Sequence, residues 1–218
     1  MSKKVHPYAH RLGIIRDWKS RWFSTGETFK QNLRVDLTVR ELLDKKLRGM
    51  HIAGVDIERS AKTLRILIKT ARPGLVIGRS GEGINKLRGE IEKLVNKADP
   101  ANKLELRVDI EEVRNSESSA AIVGQMIAEA LERRLPYRRV MKQTIEKVMA
   151  SREVQGVRIG LYGRLGGTDI AREEELKRGR VPLQTLRADV DFSREKAHMA
   201  YGDIGIKVWI YRGEIFKK

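Results

Sequence analysis

The stretch that decides the fold is Leu75-Val76-Ile77-Gly78-Arg79-Ser80-Gly81-Glu82-Gly83-Ile84. Two glycines three residues apart, Gly78 and Gly81, enclose a cation and a hydroxyl between an apolar turn and an amphipathic run. Glycine lacks the Cβ that would block a phosphate, and it adopts positive φ without steric cost. A helix that starts after such a loop offers N–H groups to an anion. The stretch therefore predicts a helix–GxxG–helix corner that a nucleic-acid backbone can approach closely.

The GxxG spacing alone is weakly specific, because this chain contains 19 glycines. Three other matches begin at Gly160, Gly163 and Gly202, among strand-like alternation, and we interpret them as turn or close-packing glycines. Only the match at Gly78 is followed by an apolar stripe at helical spacing. The stripe consists of Ile84, Leu87, Ile91, Leu94 and Val95.

The pattern on both sides of the loop predicts one small domain. Apolar residues at helical spacing run from about Val39 to Arg48, and alternating residues predict strands near 55–58, 64–69 and 104–111. The order α-β-β-α-α-β, with GxxG between the paired helices, is typical of the type II KH fold, whose loop clamps about four backbone nucleotides. We therefore expect a KH domain over 38–112, with a three-stranded sheet and its helices on one face.

The second half of the chain predicts an α+β domain over 113–218. Asn115-Ser116 is a candidate helix cap, and Pro136 breaks this helix and can begin the next. Two helices and four strands then indicate helices laid on a four-stranded, mainly antiparallel sheet. The predicted strands are about 154–163, 168–177, 184–191 and 203–212.

The first 23 residues are basic and rich in large aromatic rings. We interpret residues 1–23 as an arm that becomes ordered against a partner or against the body of the protein. Its candidate RNA-binding cations are Lys3, Lys4 and Arg11.

The composition favours a nucleic-acid partner. The net charge is +16 and the pI is near 10.2, and nucleic acid is the commonest counter-charge, with an acidic membrane surface as the alternative. We expect no membrane span, because no apolar run approaches 18 residues, and no secretory signal at the N-terminus. The chain has no cysteine, which excludes disulfides and thiolate zinc sites and is consistent with a reducing interior.

A second basic feature is the basic ridge, which we define as Arg138, Arg139 and Lys142. On a helix these three side chains span roughly 100° beside an apolar stripe. Arg133 and Arg134 precede the ridge and belong to the same candidate RNA-binding site. We interpret it as an RNA-backbone contact, and a solvated charged face is the alternative.

A third basic group lies among glycine-rich turns. Glycine-rich turns with arginine are suited to the close approach of a phosphate. They are equally suited to tight β-turns whose arginines pair with Glu173, Glu174 and Glu175. Both interpretations stay open at this point. The candidate residues are Arg164, Arg172, Lys177, Arg178, Arg180 and Arg187.

Motifs of catalysis are missing from the sequence. It contains neither the P-loop motif nor a dinucleotide-binding motif that follows a strand and opens a helix. The four histidines have no metal-ligand spacing beyond His6 and His10, and no nucleophile–base pair converges. We therefore expect no enzyme activity, no cofactor and no metal site.

The motifs along the whole chain resemble those of the bacterial S-three family of small-subunit ribosomal proteins. The matching motifs are Lys4-Val5-His6-Pro7, Arg11-Leu12-Gly13-Ile14, Thr70-Ala71-Arg72-Pro73-Gly74-Leu75-Val76-Ile77-Gly78, Leu131-Glu132-Arg133-Arg134, Arg138-Arg139-Val140-Met141-Lys142, Gly163-Arg164-Leu165-Gly166-Gly167, Gly179-Arg180-Val181-Pro182-Leu183, Thr185-Leu186-Arg187-Ala188-Asp189 and Tyr201-Gly202-Asp203-Ile204-Gly205-Ile206-Lys207-Val208-Trp209.

This resemblance implies a partner set and a location. The partners would be small-subunit ribosomal RNA in the lower head, messenger RNA at the entry channel and neighbouring ribosomal proteins of the head, with no membrane and no homo-oligomer. The messenger contact would fall on the basic ridge, which would assist unwinding without nucleotide hydrolysis. The location would be the cytoplasmic ribosome of a bacterium, with a plastid ribosome as the alternative.

Two other classes of function compete with this interpretation. A free KH regulator of transcription or RNA processing would need two helix–GxxG–helix corners. The sequence predicts a single corner, at Gly78. A structure-selective nuclease would need converging carboxylates or a histidine base.

Overall fold

The computed structural model describes residues 5–60, 62–98 and 104–216. They form two compact units: the middle unit, residues 18–114, and the C-terminal unit, which combines residues 5–17 with 115–216. The predicted arm of residues 1–23 is therefore divided between the two units at Asp17 and Trp18. No helix in the described ranges is both long and apolar enough to cross a membrane.

The arm begins with a one-turn helix, α1 (Pro7–His10). Proline suits the first helical position, because its fixed φ is already helical and its missing N–H would have no partner there. The side chain of His6 precedes the helix and accepts a 3.5 Å hydrogen bond from the amide of Ala9. Pro7 is buried against the rest of the C-terminal unit.

The middle unit confirms the predicted α-β-β-α-α-β order and adds a short edge strand. The sheet has the order β1-β2-β3-β4, in which β1 is parallel to β2, β2 is antiparallel to β3 and β3 is parallel to β4. The elements are β1 (Ser20–Arg21), α2 (Gly26–Lys46), β2 (Ile52–Arg59), β3 (Thr63–Thr70), α3 (Pro73–Ile77), α4 (Glu82–Ala98) and β4 (Glu105–Glu112). The expected three-stranded sheet thus has four strands, because a two-residue strand is too short to show alternation in the sequence.

Helix α2 begins at Gly26, much earlier than the predicted start near Val39. Its buried residues Val35, Val39 and Leu43 recur every fourth position, as a helix packed on a core requires. From Gly26 to Leu37, however, the apolar residues Phe29, Leu33 and Leu37 are exposed. The apolar residues there occupy two faces, so the sequence pattern is not amphipathic and the prediction missed these turns.

Alternation in the strands places the core of the middle unit. Leu64, Ile66 and Ile68 of β3 occupy every second position and are buried. They pack in one cluster with Leu43 of α2 and Ile91 of α4. The GxxG loop, residues 78–81, is therefore carried by two helices, α3 and α4, that share this core.

The C-terminal unit confirms the predicted two helices and four-stranded sheet. The strand order is β6-β5-β8-β7, and each neighbouring pair is antiparallel. The elements are α5 (Ala120–Glu132), α6 (Tyr137–Ala150), β5 (Gly156–Gly163), β6 (Arg172–Gly179), β7 (Ala188–Met199) and β8 (Gly202–Glu214).

Strand β7 extends eight residues beyond its predicted end at 191, and it forms a long hairpin with β8. The missed part contains Arg194, Glu195 and Lys196, so polar residues fall on both faces and no alternation is visible. The predicted strand over 168–177 begins at Arg172 instead, because residues 165–167 form a 3-10 turn.

Helix α5 begins later than its predicted cap at Asn115-Ser116. A 3-10 turn occupies Ser116–Ser118, and the helix begins at Ala120. The amide of Ala120 donates a 2.9 Å hydrogen bond to the carboxylate of Asp191, 71 residues further along the chain. The cap is thus supplied by β7, which a local sequence pattern does not reveal.

Candidate nucleic-acid interface

The GxxG loop has the backbone that its glycines predict. Gly78 ends α3 with φ +72° and donates its amide to the carbonyl of Gly74 at 3.0 Å, and Gly81 has φ +81°. Ser80 between them also has positive φ, +51°, in the left-handed region that a residue with a Cβ seldom adopts. The loop is therefore held in an uncommon conformation by the two helices that carry it.

The side of the loop that leads into α4 depends on Gly83, which the sequence analysis did not single out. A Cβ on Gly83 would lie 2.7 Å from the carbonyl oxygen of Val76 and 2.9 Å from that of Ile77. Similarly, a Cβ on Gly78 would lie 3.0 Å from the amide nitrogen of Gly83. The first turn of α4 thus packs directly on the backbone of α3. The presence of Gly83 soon after Gly78 and Gly81 was the feature of the sequence that could have indicated this contact.

The polar groups of the GxxG loop are exposed to solvent. Gly78, Arg79 and Ser80 are exposed, and Gly81 is partly exposed. A Cβ on Gly81 would meet no atom within 4 Å, so this glycine is required by its φ rather than by crowding. The loop thus presents a cation, a hydroxyl and an uncovered backbone at the start of a 17-residue helix.

Helix α6 carries the basic ridge beside a buried stripe. Val140, Met141 and Ile145 are buried in the core of the C-terminal unit. All three ridge cations, by contrast, are exposed. Because the stripe fixes the rotation of the helix, the cations point outward as a set.

The turn before α6 presents Arg133 and Arg134. Arg134 has φ +62°, and the amide of the next residue, Leu135, bonds to the carbonyl of Ala130 at 3.2 Å. This is the helix-ending arrangement in which glycine is usually found, occupied here by arginine. Arg133 lies 3.9 Å from Glu129, and both arginines are exposed.

One ridge cation is bound to an acidic strand. Glu174 of β6 accepts hydrogen bonds from Arg138 at 2.8 Å and from the hydroxyl of Tyr137 at 2.9 Å. Chiefly because Arg138 donates to it, the pKa of the Glu174 carboxyl lies below its ordinary value, and the same contact raises the pKa of Arg138. The next carboxylate, Glu175, bonds to Arg158 and Tyr162.

The third basic group separates into two kinds of residue. Arg164 bonds to the carbonyls of Thr168 and Tyr201 at 2.9 and 3.2 Å, and Arg187 bonds to Glu214 at the end of β8, so these two arginines have partners within the protein. The alternative pairing with Glu173–Glu175 is therefore wrong for both. Arg187 is also exposed, as are the remaining members on β6 and the residue after it: Arg172, Lys177, Arg178 and Arg180.

The prediction that Arg11 contacts RNA is wrong. Its side chain is 0% exposed, and its guanidinium donates to the carbonyls of Pro7, Leu183, Thr185 and Ala188 at 2.6 to 3.1 Å. Desolvation by burial lowers the pKa of this guanidinium. A donor that bonds to backbone on several sides cannot also reach a phosphate. The other two arm cations, Lys3 and Lys4, lie outside the described residues.

Among residues 5–60, 62–98 and 104–216, no group of three or more His, Asp or Glu side chains is arranged to hold a metal ion. The candidate interface presents exposed cations, the hydroxyl of Ser80 and backbone amides, which are groups that bind phosphate.

Two family models match the chain in the same order as the two halves of the fold. Residues 38–118 match "KH domain", and residues 127–210 match "Ribosomal protein S3, C-terminal domain".

Several curated proteins that are similar to this chain share the description "Small ribosomal subunit protein uS3". The protein of that description from Caldicellulosiruptor bescii is 45% identical over 215 residues, which is 99% of this chain and 94% of the relative. That from Stutzerimonas stutzeri is 45% identical and that from Clostridium tetani 43% identical, each over 99% of this chain and over 91% and 94% of the relative.

Proposed function

The chain belongs to the uS3 family of small ribosomal subunit proteins, and from that premise we propose how this structural, non-enzymatic constituent of the subunit handles RNA. It binds ribosomal RNA in the lower head through the GxxG loop and other exposed cations. In addition, it helps to position and unwind messenger RNA at the entry channel through the basic ridge and the two arginines before it. It acts as a single copy beside other head proteins of the cytoplasmic bacterial ribosome.

The observation that supports the messenger role best is the rigid mounting of the basic ridge. Arg139 and Lys142 are exposed on α6, and they make no hydrogen bond or ion pair with another side chain in the part of the chain that the structure describes. Met141, which lies between them, is fully buried. Cations on a fixed helix can hold successive phosphates of one RNA strand. A strand that is held in this way is kept apart from the strand with which it pairs, and no nucleotide hydrolysis is needed.

Replacing all three ridge residues by alanine tests this role. Exposed cations contribute little to stability, less than about 0.5 kcal/mol each, so the melting temperature and entry into small subunits should be retained. Translation through a stable messenger hairpin should be reduced far more than translation of an unstructured message. Binding of single-stranded RNA should lose up to about two units of salt slope, at roughly 0.7 per phosphate.

A control of equal charge change is available in the same unit. Lys147, Arg152 and Lys196 are exposed cations outside the ridge, and their triple alanine variant should translate the hairpin message as the wild type does. Equal losses on both messages for the ridge variant would indicate a role in assembly. No loss on either would make the ridge a solvated charged face and would refute the proposal.

A further inference from the structure

The three cations of the basic ridge are not equivalent. Arg138 contacts Glu174 at two points, since its Nη2 lies 2.8 Å from Oε1 and its Nε lies 3.4 Å from Oε2. Arg139 and Lys142 have no such partner among the described side chains. One of the three ridge charges is thus compensated within the protein itself.

Glu174 is anchored independently of Arg138. It lies on β6 opposite the buried Leu161 of β5, so it faces the helices rather than the open side of the sheet. The hydroxyl of Tyr137 donates a 2.9 Å hydrogen bond to the same carboxylate oxygen that receives Arg138. The carboxylate therefore has a reason to remain in place when the arginine leaves.

Arg138, in contrast, lies largely toward solvent. Its side chain is 71% exposed, whereas that of Glu174 is 31% exposed. Exposed ion pairs are weak because water and salt compete for both partners. A phosphate group offers the guanidinium two oxygens, and therefore the same two-point contact as a carboxylate does, so an RNA backbone can take Arg138 from Glu174.

We propose that Glu174 is a positioning residue that holds Arg138 in reserve and limits the grip of the basic ridge on single-stranded RNA. This inference rests on the proposed messenger role of the ridge. Arg138 exchanges its carboxylate for a phosphate, so it orients the strand but adds little net affinity. A messenger that must advance past the ridge is thereby held by two full charges rather than three.

The variant Glu174→Gln tests the proposal, because the amide oxygen can still accept from Tyr137 while the charge is removed. Affinity of the full-length protein for a single-stranded oligouridine should rise between about two- and fivefold, the range of an exposed ion pair. The salt slope should become steeper by about 0.7, because the charge that Arg138 brings to a phosphate is then no longer offset by a Glu174 carboxylate left without its partner. A merely structural role of Glu174 would leave this slope unchanged.

Glu173→Gln is the matched control. It makes the same change in net charge one residue away, but Glu173 pairs with Tyr162 of β5 and lies on the opposite face of β6 from Glu174. It should change affinity much less than Glu174→Gln does. Equal increases in affinity from the two variants would indicate a general charge effect and would overturn the proposal.

A double-mutant cycle identifies Arg138 as the group that responds. In an Arg138→Ala background, Glu174→Gln should no longer raise the affinity or the salt slope. An increase that persists without Arg138, or a lower affinity of the single Glu174→Gln variant, would contradict the reserve role.

The double variant Arg139→Ala/Lys142→Ala distinguishes a failure of the role of Glu174 from a failure of RNA binding by the ridge. If it weakens oligouridine binding while Glu174→Gln has no effect, the ridge binds RNA and only the inference about Glu174 fails. If neither changes binding, the proposed function of the ridge fails as well.

Discussion

Arg11 donates a 2.6 Å hydrogen bond from its Nε to the carbonyl oxygen of Ala188, 177 residues further along the chain. The same guanidinium bonds to the carbonyls of Leu183 and Thr185, in the loop that enters β7. A charged side chain is rarely buried without such partners. Arg11 therefore ties the first residues of the C-terminal unit to the segment of the same unit that follows Arg180.

We expect Arg11→Met to destabilise the C-terminal unit by at least about 2 kcal/mol, because each buried carbonyl left without a donor costs about 1–3 kcal/mol. Arg180→Met is the matched control, since Arg180 is exposed at the start of the same loop, and it should change stability by less than about 0.5 kcal/mol. Hydrogen exchange of the β7 amides measures the effect within this unit. Equal exchange rates in the two variants would show that Arg11 is not structural.

Gly83→Ala should destabilise the middle unit, because the added Cβ would lie 2.7 Å from the backbone carbonyl oxygen of Val76. This carbonyl belongs to α3 and cannot shift without distorting that helix. Gly89→Ala in the same helix meets no atom within 4 Å. It should stabilise the unit by about 0.4–1 kcal/mol, as replacement of glycine does at an unstrained helical position. The comparison is made by urea denaturation, and a Gly83→Ala variant as stable as Gly89→Ala would disprove the packing argument.

The charge of the GxxG loop can be tested without touching its glycines. Arg79→Asp/Ser80→Asp should weaken binding to small-subunit ribosomal RNA and reduce the salt slope by about 0.7–0.9 for each phosphate that the loop no longer neutralises. Lys93→Asp/Asn96→Asp makes the same change in charge at exposed positions further along α4, and it should have a smaller effect. If RNA binding and subunit incorporation survive the loop variant unchanged, the loop serves only to join two helices.

Arg134 combines an unfavourable backbone with a candidate RNA contact. Its φ of +62° costs about 1 kcal/mol or more for a residue with a Cβ. Arg134→Gly should therefore raise the melting temperature while it lowers affinity for single-stranded RNA, and Arg134→Ala should lower affinity equally without the increase in stability. Affinity equal to that of the wild type in both variants would leave the strained arginine without a role in binding.

Tyr162 predicts a loss of stability in alkali. Burial, with help from the carboxylate of Glu175, raises the pKa of this phenol above its ordinary value of about 10. Above pH 10 the unfolded chain releases the Tyr162 proton, whereas the folded protein keeps it. The contribution of Tyr162 to stability is therefore complete below pH 10 and declines as the pH rises above 10. The difference in free energy of unfolding between the wild type and Tyr162→Phe should therefore shrink between about pH 8 and pH 11. A constant difference in urea denaturation at the two pH values would contradict the shift.

Several features were accessible from the sequence because they are local. Strands such as β3 alternate with period two and α4 repeats with period 3.6, so their types and order could be predicted from the chain alone. The positive φ values at Gly78 and Gly81 are ones that glycine adopts without steric cost. The basic ridge could be placed beside a buried stripe because cations and apolar residues share one helix.

The misses have a common physical cause, which is that a partner distant in sequence decided the outcome. Arg11 resembles any arm cation until the fold surrounds it with carbonyls, and the start of α5 depends on a carboxylate from β7. The exposed Phe29 and Leu33 likewise obscured the first turns of α2.

By itself, the sequence determined the order of elements, the GxxG corner and the excess of positive charge, since these depend on residue type and near-neighbour spacing. Only the tertiary structure decided which cations are available. It buried Arg11, joined Arg187 to Glu214, bound Arg138 to Glu174 and left Arg139 and Lys142 toward solvent. The physical reason is that the chemistry of a charge is set by the groups within a few ångströms of it, and folding brings those groups together from remote parts of the chain.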